Sequence, residues 1–94
     1  MIKGGMAKVH FTSNLRRHVD CPTMEVSATN VHQALIQAFA KNQRLKTYVL
    51  DDQGTLRKHM RILVDGIAVK DLEHFNDAVQ PTSEVWVMQA LSGG

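Results

Sequence analysis

Apolar and polar residues alternate near the start of the chain: Ala7, Val9 and Phe11 fall on one side, Lys8, His10 and Thr12 on the other. A period of two is that of a half-buried strand, because successive side chains of extended backbone point to opposite faces. Ser13 to Asp20 is polar. The alternation then returns from Thr23 to Ser27, with Met24 and Val26 as its apolar set and Pro22 at its start, where a missing ladder N–H is tolerated. These two runs predict a hairpin. Next the period changes. Val31, Ala34, Leu35, Ala38 and Phe39 recur at helical spacing, which predicts an amphipathic helix from Asn30 to about Asn42, with Thr29 or Asn30 capping its first N–H groups. Leu45 to Leu50 follows neither period and is expected as an irregular segment that tucks Leu45, Tyr48 and Leu50 under the sheet.

Asp51-Asp52-Gln53-Gly54 reads as a turn, and Met60 to Asp65 as a third strand. Asp65-Gly66 is a two-residue hairpin turn that returns the chain through Ile67-Ala68-Val69. Leu72 to Val79 is expected as a loop with one helical turn at most, anchored by Leu72, Phe75 and Val79. After the turn Gln80-Pro81-Thr82-Ser83, Ser83 to Ala90 forms the last strand. This order predicts an α+β domain, with one main helix packed across one face of a mixed sheet. A chain of 94 residues has room for one modest core and no more. That core is placed in residues 7–90, between a flexible N-terminal segment, 1–6, and a flexible tail, 91–94. Met6 is an alternative start to Met1, since the periodic sequence begins only at Ala7.

Strand parity carries the argument toward function. Arg61 and Asp65 cannot be buried unpaired, so Ile62 and Val64 are the better inward pair of the third strand and Leu63 points to the opposite face. If Val85 and Val87 face the helix in the last strand, Trp86 and Met88 lie on the open side. A single helix covers only one side of the sheet. Leu63, Trp86 and Met88 are therefore expected to form an exposed apolar patch, a feature that marks partner surfaces.

Composition narrows the classes. The formal net charge of +2 is too small to argue for nucleic acid or a membrane surface. Lys41, Arg44 and Lys46, with Arg57, Lys58 and Arg61, form two loose basic clusters that are expected as solvated faces. No apolar run approaches the length of a membrane span. Cys21 is the only cysteine, so no disulfide forms within the chain, and it reads as an idle or buried thiol. The five histidines, His10, His18, His32, His59 and His74, lack metal-ligand spacing and read as surface residues. Candidate groups are too few for an active site. The expectation is a cytoplasmic protein that is not an enzyme.

The sequence ends Leu91-Ser92-Gly93-Gly94, directly after the apolar run Val85 to Met88. A carboxylate carried on two glycines has the narrowest cross-section a chain can offer, and it can be threaded down a narrow channel. Together with Arg61-Ile62-Leu63-Val64-Asp65-Gly66 and the strand order, this ending resembles the MoaD/ThiS family of ubiquitin-like sulfur carriers, over about Ala7 to Gly94. The resemblance implies a β-grasp fold. It departs from the family pattern at Gln80-Pro81-Thr82-Ser83, where a Gly-Asp turn is frequent, and at Gln89-Ala90-Leu91-Ser92, which lacks proline. The longer Tyr48–His59 stretch looks more like carriers that serve cysteine or thio-natural-product synthesis.

The resemblance also implies a mechanism. A ubiquitin-activating-type enzyme would bind the open face through Leu63, Trp86 and Met88 and use ATP to adenylate Gly94. Sulfide or a persulfide from a sulfur donor would then displace AMP, and a downstream synthase would accept the sulfur. Gly94 and Gly93 would form the sulfur-carrying end, with Ser92 and Leu91 supplying clearance. The carrier itself would bind no cofactor and be monomeric when free. Cysteine, another thio-metabolite or molybdopterin would be the destination. The alternatives are a ubiquitin-like modifier joined to lysine, or a non-covalent interaction module.

Overall fold

The alternating segments assemble into a five-stranded mixed sheet in the computed structural model, which describes residues 6–12 and 22–89. Its strands are β1 (Ala7–Phe11), β2 (Met24–Val26), β3 (Met60–Val64), β4 (Ile67–Ala68) and β5 (Glu84–Gln89), in the order β2-β1-β5-β3-β4. The expected hairpin is present, since β1 and β2 pair antiparallel with Val9 beside Met24. β5 is inserted between β1 and β3, parallel to the first and antiparallel to the second. The first and last strands thus lie side by side in the middle of the sheet. Residues 1–5, residues 13–21 with His18 and Cys21, and residues 90–94 with Leu91-Ser92-Gly93-Gly94 lie outside the described residues.

Helix α1 (Val31–Lys41) is the predicted amphipathic helix, and all five of its apolar-face residues are buried. Both proposed capping residues take part in its start. The Asn30 side chain accepts the Gln33 N–H at 2.8 Å, while the Gln33 side chain accepts the Thr29 N–H at 2.9 Å. Such reciprocal bonds satisfy donors that the first helical turn leaves without partners. The buried face of α1 belongs to one apolar cluster with Val9, Val26, Ile62, Val85 and Val87 of the sheet.

The irregular segment expected over Leu45 to Leu50 is instead a second helix, α2 (Gln43–Val49). Asn42 makes this possible by serving both helices. Its backbone N–H closes α1 on Phe39 O, and its side chain accepts the Arg44 N–H at 3.1 Å to start α2. Leu45 and Val49, four residues apart on one helical face, are fully buried, Leu50 is buried, and Tyr48 packs partly exposed against the core.

The Asp65-Gly66 turn has positive φ at both residues, 51° and 85°, as a type I′ hairpin turn requires. The expected anchor Leu72 is wrong: it is 42% exposed, whereas Phe75 and Val79 are buried. Two carboxylates explain the difference. Asp77 accepts the N–H groups of Lys70 and Asp71, each at 2.9 Å, and Asp71 accepts those of Glu73, His74 and Asn76. The loop is wound around these acids so tightly that Phe75 takes a φ of 56° and turns inward while Leu72 turns out.

Candidate functional site: the open face of the sheet

Both helices contribute to the core on one side of the sheet, and the register defines the other side. Residues directly opposite one another on paired strands share a face. Trp86 of β5 lies between His10 of β1 and Leu63 of β3, and Leu63 lies beside Ala68 of β4. Met88 is opposite Arg61, and Lys8 lies between Glu25 and Glu84. Val85, Val87 and Ile62 point into the core. The parity expected from sequence is therefore the observed one. Trp86 is 40% exposed, and Leu63 and Met88 are partly buried beside it. Val64, the second residue of the expected inward pair, packs against the core while remaining partly exposed.

His10 belongs to this face as well, a role that reading it simply as a surface residue missed. Its ring stacks on Trp86 with centroids 4.4 Å apart and planes inclined by 19°. Nδ1 lies 3.2 Å from Thr23 Oγ1, and Nε2 contacts Glu84 Oε1. The imidazole is thus fixed at once by Thr23, just ahead of β2, and by Glu84 of β5, and it holds one side of the indole. An offset stack of this kind favours a defined ring orientation. The signal available in the sequence was the place of His10 in the alternation, on the polar side with Lys8 and Thr12.

A second set of polar contacts holds β5 in register. The Asp65 carboxylate accepts the Glu84 N–H at 2.9 Å and the Ser83 hydroxyl at 2.8 Å. These two bonds, the backbone one foremost, keep its carboxyl below the usual carboxylate range despite the opposing effect of burial. Ser83 Oγ also accepts the Gln80 N–H at 2.9 Å. The β3–β4 turn is thereby tied to the first residue of β5, which fixes the alignment that sets Trp86 against Leu63.

No family model matches the chain, and no curated protein sequence matches it. Solved structures do. SAMP1 from Haloferax volcanii matches with a TM-score of 0.80 at 22% identity, over 96% of this chain and 100% of its own. The small archaeal modifier protein 1 from Methanosarcina acetivorans gives 0.75 at 24% identity, over 96% and 97%. A chain of the Amycolatopsis orientalis BexX/CysO complex gives 0.78 at 16% identity, over 94% and 99%. The fold is the ubiquitin-like β-grasp.

These likenesses, at 24% identity or below, bear out the β-grasp fold that the sequence resemblance implied. In this β-grasp domain the central strand β5 runs across the open face, and its last described residue, Gln89, directs its N–H at Thr12 Oγ1, 3.4 Å away. The chain continues from there toward Leu91, Ser92, Gly93 and Gly94, beyond the described residues. Among the described residues, no three His, Cys, Asp or Glu side chains converge into a group that could hold a metal ion. No helix among them is long and apolar enough to cross a membrane.

Proposed function

We propose that this chain is a ubiquitin-like sulfur carrier. The observation that supports this reading best is that one strand bears the exposed Trp86 and the partly buried Met88 on its open side and is followed in the sequence by Gly93-Gly94. An adenylating enzyme of the ubiquitin-activating type docks on Leu63, Trp86 and Met88 and draws the tail into its active site. There a carboxylate oxygen of Gly94 attacks the α-phosphorus of ATP, forming the acyl-adenylate and releasing pyrophosphate. Sulfide then attacks the carbonyl carbon, AMP departs with the bonding pair, and a thiocarboxylate remains. Activation is needed because a carboxylate is a poor electrophile until it carries a good leaving group.

ATP and the sulfur donor belong to the activating partner, and the carrier contributes the terminus and its clearance through Ser92 and Leu91. A second enzyme, a sulfur-accepting synthase, receives the sulfur; cysteine or another thio-metabolite is the favoured destination and molybdopterin the rival. A carrier that serves two enzymes in turn is monomeric when free. The matched BexX/CysO structure is itself a complex, which supports a β-grasp chain working through a partner. The second reading, a protein modifier joined to lysine through the same terminus, is favoured by the matches named as modifier proteins.

Intact-mass spectrometry of the untagged protein from its host separates these readings. A species heavier by about 16 Da, located at Gly94 and alkylated by a thiocarboxylate-selective reagent, is expected for acyl activation followed by sulfur transfer. Deletion of Gly94 should abolish it and leave the fold intact. A truncated chain that still gains sulfur, or a full chain that gains none with activating enzyme, ATP and sulfide supplied, refutes the carrier reading. Conjugates of higher mass that depend on Gly94 favour the modifier.

A further inference from the structure

An aromatic patch alone does not say which way round a partner must sit, yet a carrier works only if its tail points into the partner's channel. The charges on the open face supply that direction. At the start of β5 the face is acidic, with Glu25, Glu84 and Asp65 and only Lys8 set between the two glutamates. In the middle it is aromatic and apolar, with His10, Trp86, Leu63 and Ala68. At the far end, where the chain leaves toward the glycines, it is basic. Arg61 lies opposite Met88, and Lys58 precedes it in the turn before β3, while Arg57, just ahead of that turn, reaches Thr47 O of α2.

Among the described residues, no carboxylate neutralises this basic end. No Asp or Glu occurs from Thr55 to Val64. Among the described residues, the ion pairs are His10 with Glu84 and His74 with Asp71, so no carboxylate pairs with Arg57, Lys58 or Arg61. The guanidinium groups are nevertheless held in place. Arg61 donates to Lys58 O and Met60 O, both at 2.9 Å, and Arg57 Nε donates to Thr47 O at 2.8 Å. Cations fixed by backbone carbonyls at the exit of a strand, and left without counter-charge among the described residues, suit an anionic surface that meets them there.

We propose that the protein that takes up the tail presents carboxylates on the rim of its channel, that Lys58 and Arg61 meet them, and that this contact fixes the direction in which β5 lies across the partner. The inference rests on the carrier reading and adds the partner's chemistry to it. A partner turned by half a circle would set its carboxylates against Glu84 and Glu25, and like charges brought together select against that orientation. Charges at a rim act mainly on encounter and orientation, while the apolar centre supplies the hold.

The test is pyrophosphate exchange into ATP by the host's ubiquitin-activating-type enzyme, with the carrier concentration varied. Lys58→Glu with Arg61→Glu is expected to raise the KM for the carrier about tenfold while kcat stays close to wild type, the pattern of lost docking rather than lost chemistry. The difference should shrink at about 0.5 M salt, where screening shortens the reach of surface charge. Lys58→Glu alone, which removes no side-chain hydrogen bond of the described residues, should raise KM less and in the same direction. It keeps the test valid if losing the Arg61 bonds harms the fold. Lys41→Glu in α1, the same change of charge away from this face, should leave KM unchanged.

An unaltered KM in the double variant, or an equal rise with Lys41→Glu, overturns the inference while the carrier reading stands. If the wild-type chain supports no exchange at all, the carrier reading falls and the inference falls with it.

Discussion

Removing the His10 ring should loosen Trp86, and the contacts set the size of the effect. The stack at 4.4 Å contributes about 0.5–1.5 kcal/mol beyond area burial. The bond to Thr23 adds roughly 0.5–1 kcal/mol. The pair with Glu84, whose side chain is 49% exposed, adds at most about 1 kcal/mol after solvent screening, and only when the imidazole is protonated. His10→Ala should therefore cost about 1–3 kcal/mol, roughly 5–20 °C of Tm in a domain of this size. A double-mutant cycle isolates the stack: His10→Ala, Trp86→Ala and the double variant, unfolded in urea and followed by circular dichroism. A coupling of about 0.5–1.5 kcal/mol is expected. Trp86 is the only tryptophan, so its emission in the single His10→Ala variant reports independently that a quenching ring has left. A coupling below about 0.3 kcal/mol, within the range of independent sites, would show that the two rings touch without holding one another, and the pre-formed docking face would lose its basis.

Acid should weaken the fold through three carboxylates. Asp77 is held below its ordinary value chiefly by the Lys70 N–H and then the Asp71 N–H, Asp71 chiefly by the His74 N–H, and Asp65 chiefly by the Glu84 N–H, burial opposing each. A lowered folded pKa means that the unfolded chain binds more protons in that window, so the stabilisation is complete above the unfolded value, near 3.8, and is lost as pH falls through the folded one. The urea midpoint should hold steady well above that value and drop below it; Asp77→Asn should lower the midpoint at pH 7 and flatten the acid limb, and an unchanged limb would remove Asp77 from the explanation. Gly66→Ala tests the hairpin turn: a Cβ there meets nothing within 4 Å, but φ is 85°, so the cost is conformational, about 1–2 kcal/mol. A thermal melt that does not shift would contradict the positive φ.

The parts of this structure legible in the sequence were those fixed by local rules. The alternation of β1 and β5 and the helical spacing in α1 needed only periodicity, and the parity of β3 needed only the cost of burying Arg61. The second helix escaped because α2 has seven residues, too few to display a period, and includes β-branched Thr47 and Val49, which favour strands. The one local sign of it was Asn42, a residue suited to capping a new helix. Leu72 was misplaced because hydrophobicity alone assigned it an anchor's role, whereas Asp71 and Asp77 decide how the loop turns. The partnership of His10 with Trp86 was out of reach for another reason. It arises from the parallel pairing of the first and last strands, and no periodicity relates residues so far apart in the chain.

That pairing makes β5 serve two purposes with alternate residues. Val85 and Val87 hold the core, while Glu84, Trp86 and Met88 build the face. A slip of one residue in a strand exchanges its two sides, which here would bury Trp86 and Met88 and expose the valines. Stability and the proposed docking would be lost together. The Asp65 carboxylate opposes such a slip, because its bonds to the Ser83 hydroxyl and the Glu84 N–H can form in only one alignment of β5 with the β3–β4 turn. The clamp at the acidic end of β5 thus determines which side chains reach the open face, and under the proposed carrier function it thereby selects the surface offered to the partner.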